Sequence, residues 1–162
     1  ANQVGVQVKV LTAVEDANDI QKHVLIEKVV KRFGDDLTGR RFAMWGLAFK
    51  PDTDDMREAP SRVMIAELLK RGATVMAYDP VAMPEAERIF GNDSRIMYAG
   101  RPMSALDGAD ALLIVTEWKE FRRPDFDVIK SRLRTPVIFD GRNMYEPAHV
   151  KAQGIDYYAI GR

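Results

Sequence analysis

The chain has 162 residues, 46% hydrophobic and 30% charged, which is ordinary for one soluble domain able to bury a real core. Lysine plus arginine (24) balances aspartate plus glutamate (24), so no net field draws the chain to nucleic acid or to an anionic membrane. There is no cysteine, which excludes disulfides, thiolate metal sites and a thiol nucleophile within these residues.

From Val8 to Phe33 one long helical pattern runs, with apolar residues at Val10, Val14, Ala17, Ile20 and Val24 and a second stripe through Leu25, Val29 and Phe33. Gly34 follows at a C-cap position. Two stripes exceed what one neighbour needs: either the helix is wrapped by its own domain or, as expected here, one stripe meets another chain or a further domain. Arg41–Leu47 then reads as a buried strand and Ser61–Arg71 as a helix stopped by Gly72. Ala73–Tyr78 is a second strand, Pro84–Phe90 a short helix, Arg95–Tyr98 a short third strand and Pro102–Leu106 another short helix. Ala109–Val115 is a strand with little alternation, as expected when both faces are covered. Phe126–Leu133 reads as a helix, Pro136–Phe139 as a strand, Pro147–Gln153 as a helix and Ile155–Tyr158 as a last strand. This alternation predicts an α/β fold: a mainly parallel sheet of about six strands with helices on both faces, preceded by a long helix.

Ligands of such sheets bind beyond the carboxyl ends of the strands. The unusual residues fall there: 48–58 after the first strand, Tyr78-Asp79-Pro80 after the second, Thr116–Phe121 after the fourth and Asp140–Asn143 after the fifth. Lys50 is either a point charge for a phosphate or carboxylate, or a solvated strand-end lysine. Phe49 either packs on a planar base or sugar face, or joins the core. Arg57 either pairs with Asp54 or Asp55, or offers its planar fork to a phosphate. Arg142 either sits in a surface turn paired to Asp140 or faces a ligand brought close by Gly141. Trp118 reads as a core or interface residue. Asp52, Asp54 and Asp55 lack the glycine and terminal glutamate of a calcium loop and read as solvated caps, with Ser61 capping the helix start. His23 and His149 have no second ligand at metal spacing, so no metal site is expected. No Gly-x-Gly-x-x-Gly follows any strand; the first turn reads Gly46-Leu47-Ala48-Phe49-Lys50, so the standard dinucleotide cradle is absent. From the residues alone the site is an edge for a nucleotide or phosphate, unspecified.

Gly46–Ser61 (GLAFKPDTDDMREAPS), Tyr78–Pro80 (YDP), Thr116–Phe126 (TEWKEFRRPDF) and Phe139–Asn143 (FDGRN) together resemble the UDP-glucose/GDP-mannose dehydrogenase family, in order and over nearly the whole chain. The last two segments are more similar to its UDP-glucose branch, whose members oxidise UDP-glucose to UDP-glucuronate with two NAD. The resemblance implies a Rossmann-like sheet. Residues 1–37 would be the central, dimer-forming helix region and 38–162 a UDP-binding domain. It implies that Phe49, Lys50 and Arg142 contact the UDP-sugar and that Arg57 reaches toward the NAD site. The family's NAD motif and its catalytic lysine, asparagine and cysteine precede the central helix, so no catalytic residue is expected in this chain. The chain then looks like a C-terminal fragment that binds UDP without turnover. A cytoplasmic homodimer with no nucleic-acid or membrane partner is the matching expectation. The N-terminus shows no signal-peptide pattern, and its start without methionine fits a fragment of a longer chain. Alternatives are a non-catalytic dimerisation module and the same domain from a dehydrogenase of another nucleotide sugar. A phosphoacceptor domain is disfavoured, because the aspartates lie in a Pro- and Lys-flanked loop.

Overall fold

Strand residues whose two faces are both covered must be apolar on both, and β4 (Ala111–Ile114) is buried at all four positions. The computed structural model describes residues 22–161. In it β4 lies beside β1 (Arg41–Trp45) at the centre of a six-stranded sheet. The remaining strands are β2 (Thr74–Tyr78), β3 (Ile96–Tyr98), β5 (Val137–Asp140) and β6 (Asp156–Ala159), in the order β3-β2-β1-β4-β5-β6. Every neighbouring pair is parallel, so all six carboxyl ends share one edge. The strand order reverses between β1 and β4, which opens a crevice there.

The helices are α1 (residues 22–33), α2 (Pro60–Lys70), α3 (Met83–Phe90), α4 (Phe126–Arg132) and α5 (Pro147–Ala152). Two short 3-10 turns occupy Ser104–Leu106 and Lys119–Phe121. Phe42 and Trp45 are three apart in β1 and therefore point to opposite faces. On the Phe42 face lies α1: its Phe33 ring meets Phe42 at 5.5 Å and Phe139 at 6.1 Å, and Leu25, Ile26 and Val29 are buried. On the other face Trp45 stacks on Phe121 at 4.9 Å, and Phe126 of α4 packs edge-on against Tyr145 at 5.2 Å. Each such fully buried side chain contributes about 1.5–3 kcal/mol of transfer free energy.

The stripe Leu25, Val29 and Phe33 is thus used by the chain's own sheet. Val10, Val14, Ala17 and Ile20, and with them the expected contact to another chain, lie outside the described residues. The strand expected to run to Leu47 stops at Trp45, because Gly46 turns at φ +96°. The helix expected from Ser61 starts at Pro60, whose fixed φ suits the first helical position. Ser61 therefore caps nothing; it is buried inside the first turn and its Oγ donates to Leu47 O at 2.6 Å. The helix expected over 102–106 is a single 3-10 turn.

One buried side chain ties the carboxyl edge together. Asp79, at the end of β2, is fully buried. Its Oδ1 accepts from the backbone N–H groups of Val81 (2.9 Å) and Ala82 (2.8 Å). Its Oδ2 accepts from Leu47 N (2.7 Å), Ala48 N (3.0 Å) and the Trp118 indole Nε1 (2.9 Å). Three loops that leave three different strands converge on this carboxylate. Buried N–H groups stripped of an acceptor cost about 1–3 kcal/mol each. Asp79→Asn keeps the shape but puts an NH2 where one acceptor oxygen stood. We expect it to lower unfolding free energy by about 3 kcal/mol in urea melts; an unchanged midpoint would show that the donors find other partners.

Candidate functional site

Three adjacent strands, β1, β4 and β5, deliver the loops of the candidate site, and their last residues lie in register: Trp45 beside Ile114 beside Asp140. Parallel neighbours are about 4.8 Å apart, so the loops after β1 and β5 start about 10 Å from each other. Between them runs the loop after β4. Thr116 stitches it to the first: its Oγ1 donates to Ala48 O at 2.6 Å, and Val115 N donates to Trp45 O at 2.9 Å. Gly141 N donates to Ile114 O at 2.8 Å and stitches it to the third. A Cβ on Gly141 would sit 3.1 Å from that same carbonyl, a tight contact that glycine avoids.

The Asp140-Gly141-Arg142-Asn143 turn is built from below. Asp140 is fully buried; its Oδ1 accepts from Arg142 N (2.8 Å), and its Oδ2 accepts from Met144 N (2.7 Å) and the Tyr157 hydroxyl (2.6 Å). Asn143, at φ +53°, exchanges two hydrogen bonds with the backbone of Ile160. Asp140 therefore holds the backbone of Arg142, not its side chain. The Arg142 guanidinium instead forms an ion pair through Nε with Glu117 Oε2, across the β4–β5 gap. Its terminal nitrogens donate no hydrogen bond among the described residues, and its side chain is 40% exposed.

Lys50 is exposed on the β1 loop and has no hydrogen bond or ion pair among the described residues. Phe49 is 49% exposed, so it is not core. The loop closes where Phe49 N donates to Asp55 O at 2.7 Å. Arg57 takes the bland alternative: it is 88% exposed and grips Asp55 bidentately, Nε to Oδ1 at 3.0 Å and a terminal nitrogen to Oδ2 at 2.9 Å. That guanidinium, with the Arg57 N–H, holds the Asp55 carboxyl down at about 2. The structure thus brings Phe49, Lys50 and Arg142 to one rim, while Arg57 sits in an exposed pair further along the first loop. Trp118 is buried, its indole on Asp79. Burial, then the Glu120 carboxylate that accepts its hydroxyl at 2.8 Å, pushes the Tyr78 pKa up.

A dinucleotide does not fit the β1 turn. The N–H groups of Leu47 and Ala48, which a pyrophosphate would need, already point at the Asp79 carboxylate. The space beside Gly46 is filled by Thr116, whose atoms would lie 2.5 Å from an added Cβ. NAD therefore has no cradle at this crevice, and no step through NAD follows from these residues. Among the described residues no group of three or more His, Asp or Glu side chains is arranged to hold a metal. His149 packs edge-on against the Phe126 ring at 5.7 Å. Two residues were given no role of their own in the sequence: Glu117, named only within the Thr116–Phe126 segment, and Asp79, named only within Tyr78-Asp79-Pro80.

A model of the UDP binding domain of the UDP-glucose/GDP-mannose dehydrogenase family matches residues 43–147. UDP-glucose 6-dehydrogenase of Pseudomonas aeruginosa is 46% identical, with all of this chain and 36% of that protein covered. UDP-glucose 6-dehydrogenase TuaD of Bacillus subtilis is 38% identical, with 100% and 34% covered. A UDP-glucose dehydrogenase from Pyrobaculum islandicum superposes with a TM-score of 0.78 at 30% identity, covering 97% of this chain and 33% of that one. The chain spans about a third of the length of the curated relatives it matches. The reversal at β1 and β4 and the GLAFKPDTDD loop fall in the matched region, and the chain belongs to the UDP-glucose/GDP-mannose dehydrogenase family.

Proposed function

We propose that this chain is the UDP-recognising part of an NAD-dependent UDP-glucose 6-dehydrogenase, which oxidises UDP-glucose to UDP-glucuronate. The observation that carries the reading is one rim with two cations on loops about 10 Å apart at their roots, Lys50 with no hydrogen bond or ion pair and Arg142 with its terminal nitrogens unspent among the described residues. A neutral chain needs such local cations to hold a diphosphate. Arg142 offers a planar fork and Lys50 a compact charge, a pair suited to two linked phosphates. Half-exposed Phe49, next to Lys50, supplies an apolar face for the base or a sugar. The chain has no cysteine, so thiol chemistry on the sugar must come from outside these residues, as must the main NAD site. In this reading residues 1–37 are the central helix region of a cytoplasmic homodimer, and 38–162 are the UDP-binding domain.

Calorimetry with UDP tests the site. We expect binding by the wild-type chain, weakened about 10- to 100-fold by Lys50→Ala or Arg142→Ala, the range for a lost charged hydrogen bond. No heat up to millimolar UDP, or equal affinity in both variants, would remove the site.

The dimer follows from the helix. The stripe at Leu25, Val29 and Phe33 is spent on the chain's own core; we assign the sequence stripe of Val10, Val14, Ala17 and Ile20, which lies outside the described residues, to a partner. Sedimentation equilibrium is expected to give a dimer; a monomer at micromolar concentration contradicts it.

Arg57 must release Asp55 before it can reach a ligand phosphate. Losing the guanidinium raises the Asp55 pKa, from about 2 toward its ordinary 3.8. Carboxyl-carbon NMR across pH is expected to show that rise in Arg57→Ala, and no rise on adding UDP alone, because Arg57 is assigned to the NAD side.

A further inference from the structure

We infer that Glu117 is a positioning residue for the anion site: its carboxylate holds Arg142 from the Nε side and leaves the two terminal nitrogens for the ligand. This rests on the proposed role of Arg142 and extends it to a residue that would otherwise look misplaced. A carboxylate beside a diphosphate site repels the ligand unless something offsets it.

The backbones on both sides are fixed, which makes the pair more than a chance surface contact. Glu117 sits between two buried, anchored neighbours. Thr116 donates to Ala48 O at 2.6 Å, and the Trp118 indole donates to Asp79 Oδ2 at 2.9 Å. Arg142 is held by its own N–H on Asp140 at 2.8 Å and by Gly141 N on Ile114 O at 2.8 Å. Between these fixed points the two side chains span the gap from the β4 loop to the β5 loop and meet as an ion pair. The Glu117 side chain is 29% exposed, so water screens the pair only in part.

An arginine has many rotamers, and ordering one on binding costs affinity. Glu117 orders Arg142 before the ligand arrives. Its Oε2 meets Nε as an ion pair and accepts no hydrogen bond among the described residues, and a bidentate phosphate contact through the terminal nitrogens does not need Nε. The pair is neutral together, so Lys50, which makes no hydrogen bond or ion pair among the described residues and feels Asp55 only at longer range, is the cation that draws the diphosphate in. Glu117 thus supplies orientation, and Lys50 supplies net charge.

The test is UDP calorimetry on this chain with Glu117→Gln, Arg142→Ala, their double variant and Lys50→Ala, with thermal midpoints recorded for each. Glu117→Gln keeps the size and removes the charge. It is expected to weaken UDP binding about three- to tenfold with its midpoint unchanged, the scale of ordering one long side chain. Because Glu117 acts through Arg142, the double variant should bind no more weakly than Arg142→Ala alone. In the unliganded chain the Arg142 Nε–H resonance, assigned through Arg142→Lys, should shift and broaden in Glu117→Gln. Affinity equal to or tighter than wild type in Glu117→Gln would overturn the inference, and tighter binding would mark Glu117 as a competitor of the ligand. Fully additive losses in the double variant would overturn it as well. If instead Arg142→Ala binds as wild type while Lys50→Ala does not, the role of Arg142 fails and takes that of Glu117 with it.

Discussion

The carboxyl edge of this sheet is organised by one buried side chain, Asp79, on which five N–H groups from three loops converge. A group so placed has two effects at once. It satisfies donors that the turn after β1 and the start of the segment before α3 would otherwise leave bare. It also fixes where the first loop can go: Leu47 and Ala48 are pulled down onto the β2 end, and Phe49 and Lys50 emerge beyond them at the rim. A second buried carboxylate, Asp140, does the same for the turn that carries Arg142. The two cations assigned to ligand binding thus stand on loops whose roots are each tied to a buried aspartate.

The same carboxylate decides what this crevice does not hold. In a dinucleotide-binding sheet the turn after the first strand points free N–H groups at a pyrophosphate. Here those groups are taken by Asp79, and Thr116 occupies the close-approach space beside Gly46. The strand order is that of a dinucleotide fold, but the chemistry at the reversal has been turned inward to hold loops. On the proposed reading, ligand recognition falls to side chains on the rim. Fold and site therefore carry separate information, and the family match over residues 43–147 concerns both.

Much of this was legible in the sequence, for definite reasons. The unbroken apolar run at Ala111–Ile114 announced a central strand because burial on both faces leaves no room for alternation. Gly72 marked a real boundary, while the start of that helix was read one residue late, at Ser61 instead of Pro60. The positions of Phe49, Lys50 and Arg142 after strand ends were legible because a parallel sheet sends all its carboxyl ends one way. The two buried aspartates were not legible as organisers, since their partners lie far off in sequence: Asp79 and Trp118 are 39 residues apart, and Asp140 and Tyr157 are 17 apart. Only the local half of Asp79, its bonds to Val81 and Ala82, was written in the Asp-Pro turn. The ion pair of Arg142 was not legible for the same reason: the sequence offered only its near neighbour Asp140 as a possible partner, and the side chain pairs with Glu117 across the strand gap.

The central claim is that one rim, set by the loops after β1, β4 and β5, receives the nucleotide. Amide shift mapping with UDP tests it most directly. The account predicts perturbations gathered at Phe49, Lys50, Glu117, Gly141 and Arg142, with the opposite edge around Thr38, Arg71 and Gly72 silent. Shifts centred on that opposite edge, or on the first-loop pair of Asp55 and Arg57 with Arg142 unmoved, would contradict it.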